Sequence, residues 1–149
     1  MGKMIVVLVL AAVVSVACRA ENGPNVPSAV QRALAAKYNI TEPTNWVVSE
    51  EGGTKVWCTR WKDADGAMRE ADFDASGNVV KTGRSVKIAE LPKAVTDAVE
   101  KRFAHATVTE VTFFEGKATE YELRITDADA KKQLVIVSPD GSKLEAYGY

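Results

Sequence analysis

Two stretches of the chain, Val26–Tyr38 and Leu91–Phe103, carry the same pattern, and that recurrence limits the fold more than any other feature. In the first, Val26, Val30, Leu34 and Tyr38 stand four apart, with Pro27 at the opening turn. A shift of sixty-five residues lays them on Leu91, Val95, Val99 and Phe103, with Pro92 at the same place. Apolar residues at this spacing form one stripe of an amphipathic helix, and proline suits the first turn because its missing N–H is not needed there. Lys101 and Arg102 fall where the helix dipole favours cations.

The period changes after each helix. Trp57, Thr59 and Trp61 alternate with Cys58 and Arg60, and sixty-four residues later Tyr121, Leu123 and Ile125 alternate with Glu122 and Arg124. This is how a strand with one buried and one wet face reads. Turn signals recur in step: Glu51-Gly52 with Glu115-Gly116, Asp63–Gly66 with Asp127–Ala130, and Ser76-Gly77-Asn78 with Asp140-Gly141-Ser142. The agreement predicts an internal duplication and an α+β fold class: a tandem repeat of a helix followed by a four-stranded antiparallel sheet, with the helices packed on one sheet face. The expected divisions are a signal peptide over 1–17, a flexible tether over 18–25, one repeat over 26–82 and a second over 83–149, with a linker at Lys81–Glu90. A unit of this size is marginal alone, so the two are expected to share a core or extend one sheet.

The N-terminus gives an address. Met1-Gly2-Lys3 precedes an unbroken apolar run, Met4 to Val14, and then Ser15-Val16-Ala17-Cys18, the layout of a secretory signal peptide. The run is shorter than the roughly 20 residues that span a bilayer. Small residues before Cys18 resemble a bacterial lipobox, which would make Cys18 the lipidated first residue and a membrane tether, although Ser15 stands where leucine is usual. Ser15-Val16-Ala17 also fits an ordinary signal-peptidase site, and cleavage after Ala20 fits as well. If Cys18 is lipidated or lost, Cys58 remains a thiol with no cysteine to bridge; a Cys18–Cys58 bridge stays open if ordinary cleavage follows Ala17. The expected location is the periplasm, the outer membrane or the exterior. Without the leader, 18 basic residues face 20 acidic ones, so no large basic field exists for nucleic acid.

Leu91-Pro92-x-x-Val95, Tyr121-Glu122-Leu123 and Ser138-Pro139-Asp140-Gly141, echoed by Val26-Pro27, Trp57 and Asp74–Gly77, resemble the PepSY-like, β-lactamase-inhibitor-like (BLIP-like) domains of secreted bacterial proteins. The resemblance covers nearly the whole mature chain. It implies tandem modules with a concave antiparallel sheet and helices behind, and a periplasmic or surface binding role, in some cases inhibition of an enzyme. It carries over no catalytic residue.

The residues themselves point the same way. His105, the only histidine, follows the second helix between alanines and reads as a solvated loop residue, so a Ser-His-Asp or Cys-His arrangement has no base. One histidine and two cysteines leave too few soft ligands for zinc. Asp72-Phe73-Asp74-Ala75-Ser76-Gly77 matches the first half of an EF-hand loop, but Gly83 occupies the twelfth position, where a bidentate glutamate is required. Hairpin chemistry explains the same residues, and a calcium-responsive module is the lesser reading. No metal or cofactor is expected. The binding candidates are Trp46, Phe113, Phe114, Leu134 and Ile136, an apolar strip expected on the open sheet face to meet a protein or a cell-envelope component. The competing reading has that face covered by the other half or by Tyr147-Gly148-Tyr149. The sequence sets no oligomeric state.

Overall fold

Each helix forms where its apolar stripe meets a sheet. The computed structural model describes residues 25–43 and 45–149; the leader, Cys18 and nearly all of the expected tether lie outside them. Helix α1 spans Ser28–Tyr38 and buries Val30 and Leu34, while α2 spans Lys93–Arg102 and buries Val95 and Val99. The prolines sit just ahead of both helices, and their carbonyls accept the first helical N–H bonds: Val30 and Gln31 donate to Pro27, Val95 and Thr96 to Pro92. Asn39 closes α1 in the left-handed region (φ 56°), its N–H donating to the Ala35 carbonyl. Among the described residues, no helix is long and apolar enough to cross a membrane.

Eight strands follow the helices in two groups of four. They are β1 (Trp46–Glu51), β2 (Thr54–Lys62), β3 (Met68–Phe73), β4 (Val79–Ser85), β5 (Thr107–Gly116), β6 (Glu120–Thr126), β7 (Lys132–Val137) and β8 (Leu144–Gly148). All pair antiparallel in chain order, in one eight-stranded sheet. This corrects the expected fold class, a tandem repeat of a helix followed by a four-stranded antiparallel sheet: the strands form one eight-stranded sheet, as one of the two expected ways of joining the halves allowed. β4 hydrogen-bonds to β5 from Lys81 opposite Gly116 to Ser85 opposite Thr112, so a single curled sheet runs through the molecule. The expected linker at 81–90 is corrected too. Most of β4 and a 3-10 turn, Ile88–Glu90, occupy it. Lys81, Thr82, Gly83, Arg84 and Ser85 look like loop because neither face of that stretch is apolar.

Both helices lie on the same sheet face. Under α1, Val30 and Leu34 pack with Trp57, Ala71 and Phe73, flanked by Trp46, Trp61 and Tyr38. Under α2, Val95 and Val99 pack with Val111, Leu123, Ile125, Val135 and Val137. Burying side chains such as Leu34 and Phe73, each at most 1% exposed, stabilises the fold by roughly 1.5–3 kcal/mol apiece. The last hairpin of each group is seated on its helix. A Cβ at Gly77 would stand 2.6 Å from the Ala29 carbonyl oxygen, and one at Gly141 would stand 2.4 Å from that of Ala94.

Candidate functional site

The sheet face opposite the helices takes every other residue of each strand. Because Trp57, Ala71, Val111, Leu123 and Val135 point into the cores, their neighbours Cys58, Asp72, Thr112, Glu122 and Leu134 point the other way. Direct cross-strand pairs build rows on this face: Cys58, Asp72 and Lys81; Arg60, Glu70, Gly83 and Phe114; Thr112, Glu122, Ile136 and Glu145.

The second row explains Gly83. A Cβ there would lie 2.6 Å from the Phe114 ring, so glycine lets that ring lie back over β4. The Lys81 ammonium sits 4.2 Å from the ring centroid, a cation–π contact. Phe114 is only 1% exposed.

Charged side chains form a ladder across the face. Arg60 pairs with Glu70 through its Nε and reaches Glu110 at 3.7 Å through Nη1. Glu110 in turn lies 3.2 Å from Arg124 Nε, and the Arg124 guanidinium stands 5.4 Å from the Tyr149 ring. In a flat sheet, Arg60 and Glu110 would be three strand spacings across and four residues along, roughly 20 Å apart. Their contact shows that the sheet bows toward this face. At its far edge Tyr147 Oη donates to Glu145 at 2.6 Å, which raises the phenol's pKa by favouring the protonated form.

Cys58 Sγ donates to Glu70 Oε1 at 3.2 Å, and Cys58, Glu70 and Asp72 each place a donor atom within 4.8 Å of the others. Glu70 also carries the Arg60 pair, so hydrogen bonding accounts for the proximity of the thiol and that carboxylate. The Asp74 carboxylate accepts the backbone N–H of Ser76 and Asn78 and the Asn78 amide, which is hairpin-turn chemistry. His105 is exposed, in the left-handed region (φ 63°) beyond α2.

The five binding candidates separate by face. Phe114, Leu134 and Ile136 share the helix-free face. Trp46 packs instead against the α1 core, 6.4 Å from Phe73, and Phe113 stacks on Tyr121 on the helix side at 4.8 Å. The ladder residues Arg60, Glu70, Glu110 and Arg124 were not among the candidates. One signal does exist, since Arg60 and Glu70 each lie three residues outside the five-residue connection Asp63–Ala67 and face each other across the hairpin.

No protein-family model matches the chain, and no curated protein matches its sequence. Solved structures do share the fold. A DUF2874 family protein from Bacteroides ovatus superposes with a TM-score of 0.62 at 20% identity, over 85% of this chain and 89% of that one. A candidate periplasmic protein from Bacteroides eggerthii gives 0.63 at 18%, over 84% and 90%. A BLIP-like protein from Bacteroides fragilis gives 0.56 at 27%, over 85% and 89%. The BLIP-like side of the resemblance thus has a structural counterpart, while the PepSY-like side rests on the residue pattern.

Proposed function

We propose that this chain is an exported, non-enzymatic binding protein that meets a partner protein or another cell-envelope component on the helix-free face of its sheet. One observation carries the reading. That face bows inward and combines an ordered charge ladder with the half-buried side chain of Ile136, seated beside the buried Phe114 and Leu134. Fixed charges give register and specificity, while the accessible part of Ile136 supplies apolar contact between them. Export draws support from the leader-like N-terminus and from the likeness to a candidate periplasmic protein. In this reading Cys18 is the lipid anchor, and the mass of the mature N-terminus tests it: a diacylated cysteine is expected, and a chain starting at Arg19 or later refutes the anchor.

The partner surface is tested by capture from envelope extracts with wild type, Ile136→Asp and Arg124→Glu, each checked for an unchanged circular dichroism spectrum. Wild type should retain a defined species that both variants lose, with retention falling as salt rises. Equal recovery by all three proteins would refute the proposal.

The BLIP-like neighbour favours one narrower version, inhibition of a secreted hydrolase such as a peptidase or β-lactamase. Here the concave face would cover the enzyme's active-site mouth. No slowing of any enzyme in a panel at micromolar concentration would remove this version and leave the broader one standing.

A further inference from the structure

A second recess lies on the helix side of the sheet, between the two cores. Directly opposed residues cross it in one row: Trp61 on β2, Arg69 on β3, Arg84 on β4 and Phe113 on β5. The cavity holds about 380 Å³, the size of a small-molecule site. One wall is the Tyr38–Trp61 pair, with centroids 5.0 Å apart, and the other is Phe113, which is backed by Tyr121 outside the cavity.

Its floor is costly to the fold. Like charges directly opposite on adjacent strands destabilise a sheet, yet Arg69 and Arg84 are so placed. Asp63 answers Arg69 alone, through Nε at 2.6 Å. Arg84 is exposed, rests 5.2 Å from the Phe113 ring and, among the described residues, makes no ion pair. A guanidinium offers five N–H donors in a fixed fork suited to carboxylate or phosphate. Two such forks side by side make a seat for an oxyanion. Thr82 and Glu115, also opposed across β4 and β5, add hydrogen-bonding groups at the rim.

We infer that this cleft binds an acidic sugar, one or two rings carrying a carboxylate or a phosphate. The oxyanion lies between Arg69 and Arg84, a ring face lies on Trp61 with the second ring against the edge of the Arg84–Phe113 pair, and hydroxyls donate to Glu115 and Thr82. An inorganic anion would make no use of the aromatic walls. A flat apolar acid would make no use of the accessible Glu115 and Thr82. β2 and β5 are three strand spacings, about 14 Å, apart, enough for two sugar rings laid across the row. The cleft is on the opposite face from the proposed partner surface, so the two assignments stand or fall separately.

Titration of the isotope-labelled full chain with glucuronate, glucose 6-phosphate, glucose and inorganic phosphate, followed by amide NMR, tests the inference. At least one acidic sugar should shift Arg69, Arg84 and Phe113 saturably, and which one responds identifies the oxyanion. Glucose and inorganic phosphate should bind at least tenfold more weakly. Arg84→Gln should lose at least tenfold in affinity while its melting temperature holds or rises, because the like-charge pair is gone. No saturable shift with either acidic sugar, equal binding of glucose or of phosphate alone, or full affinity in Arg84→Gln would overturn it.

Discussion

Adding one methyl group measures how closely the last hairpin of each half is seated on its helix. Gly141 has φ +71°, and a Cβ there would lie 2.4 Å from the Ala94 carbonyl oxygen; Gly66 has φ +80° with open space around it. Gly66→Ala should therefore cost only the left-handed strain, about 1–2 kcal/mol. Gly141→Ala adds a backbone clash and should cost about 3 kcal/mol or more; urea midpoints of the two variants give the comparison. Beside Gly141, Asp140 accepts bonds from the Ser138 hydroxyl and from the Ser142 amide and hydroxyl, which lower its pKa to about 2. A depressed carboxyl pKa stabilises the fold fully above the ordinary value of 3.8, and the contribution is lost as pH falls toward 2. Asp140→Asn should then be less stable than wild type at neutral pH, with the gap closing between pH 4 and pH 2. A gap independent of pH would contradict this. Such turn aspartates were legible in the sequence because Asp-x-Asp-Gly and Asp-Gly-Ser have local chemistry. Arg60 and Glu110 were not, because four residues and three strands separate their positions in the sheet.

At the level of elements, α1 is held by its stripe. Leu34 is 1% exposed and packs on Trp57, Ala71 and Phe73. Leu34→Ala should lower stability by about 2–5 kcal/mol, measured by chemical denaturation, with the spread set by how far Phe73 can relax into the gap. Both helices, the other hairpin turns and the inward phase of β2, β3, β6 and β7 are legible in the residue pattern, but Glu115-Gly116, read as a turn, is the end of β5 paired with β4, and the chain reverses over 117–119. The pairing of β4 with β5 is not legible there. Its strand Val79–Ser85 has no apolar alternation beyond Val79 and Val80, and nothing local tells a chain whether two sheets stay apart or join edge to edge. The same gap explains Trp46 and Phe113. Each lies in a strand whose phase is ambiguous by composition, and only the observed registers, Trp46 opposite Thr59 and Phe113 opposite Tyr121, send both toward the helices.

For the whole molecule, a continuous sheet couples the two cores. Trp46, Trp57 and Trp61 are the three tryptophans of the chain, and all lie with α1. Tryptophan fluorescence thus reports on one half and far-ultraviolet dichroism on both. A substitution in the other half, Val99→Ala, should lower the fluorescence-detected midpoint as much as the dichroism-detected one. Separate transitions would show that the halves melt independently. The joint between them has a kinetic consequence. Six neighbouring strand pairs are closed by tight hairpins, but β4 and β5 are brought together only across the excursion Val86–Ala106, which contains α2. Longer closures cost more chain entropy before they are rewarded, so of the seven strand pairings this is the one expected to align last. Stopped-flow refolding of a variant weakened at the β4–β5 seam should be slowed less than its unfolding is hastened.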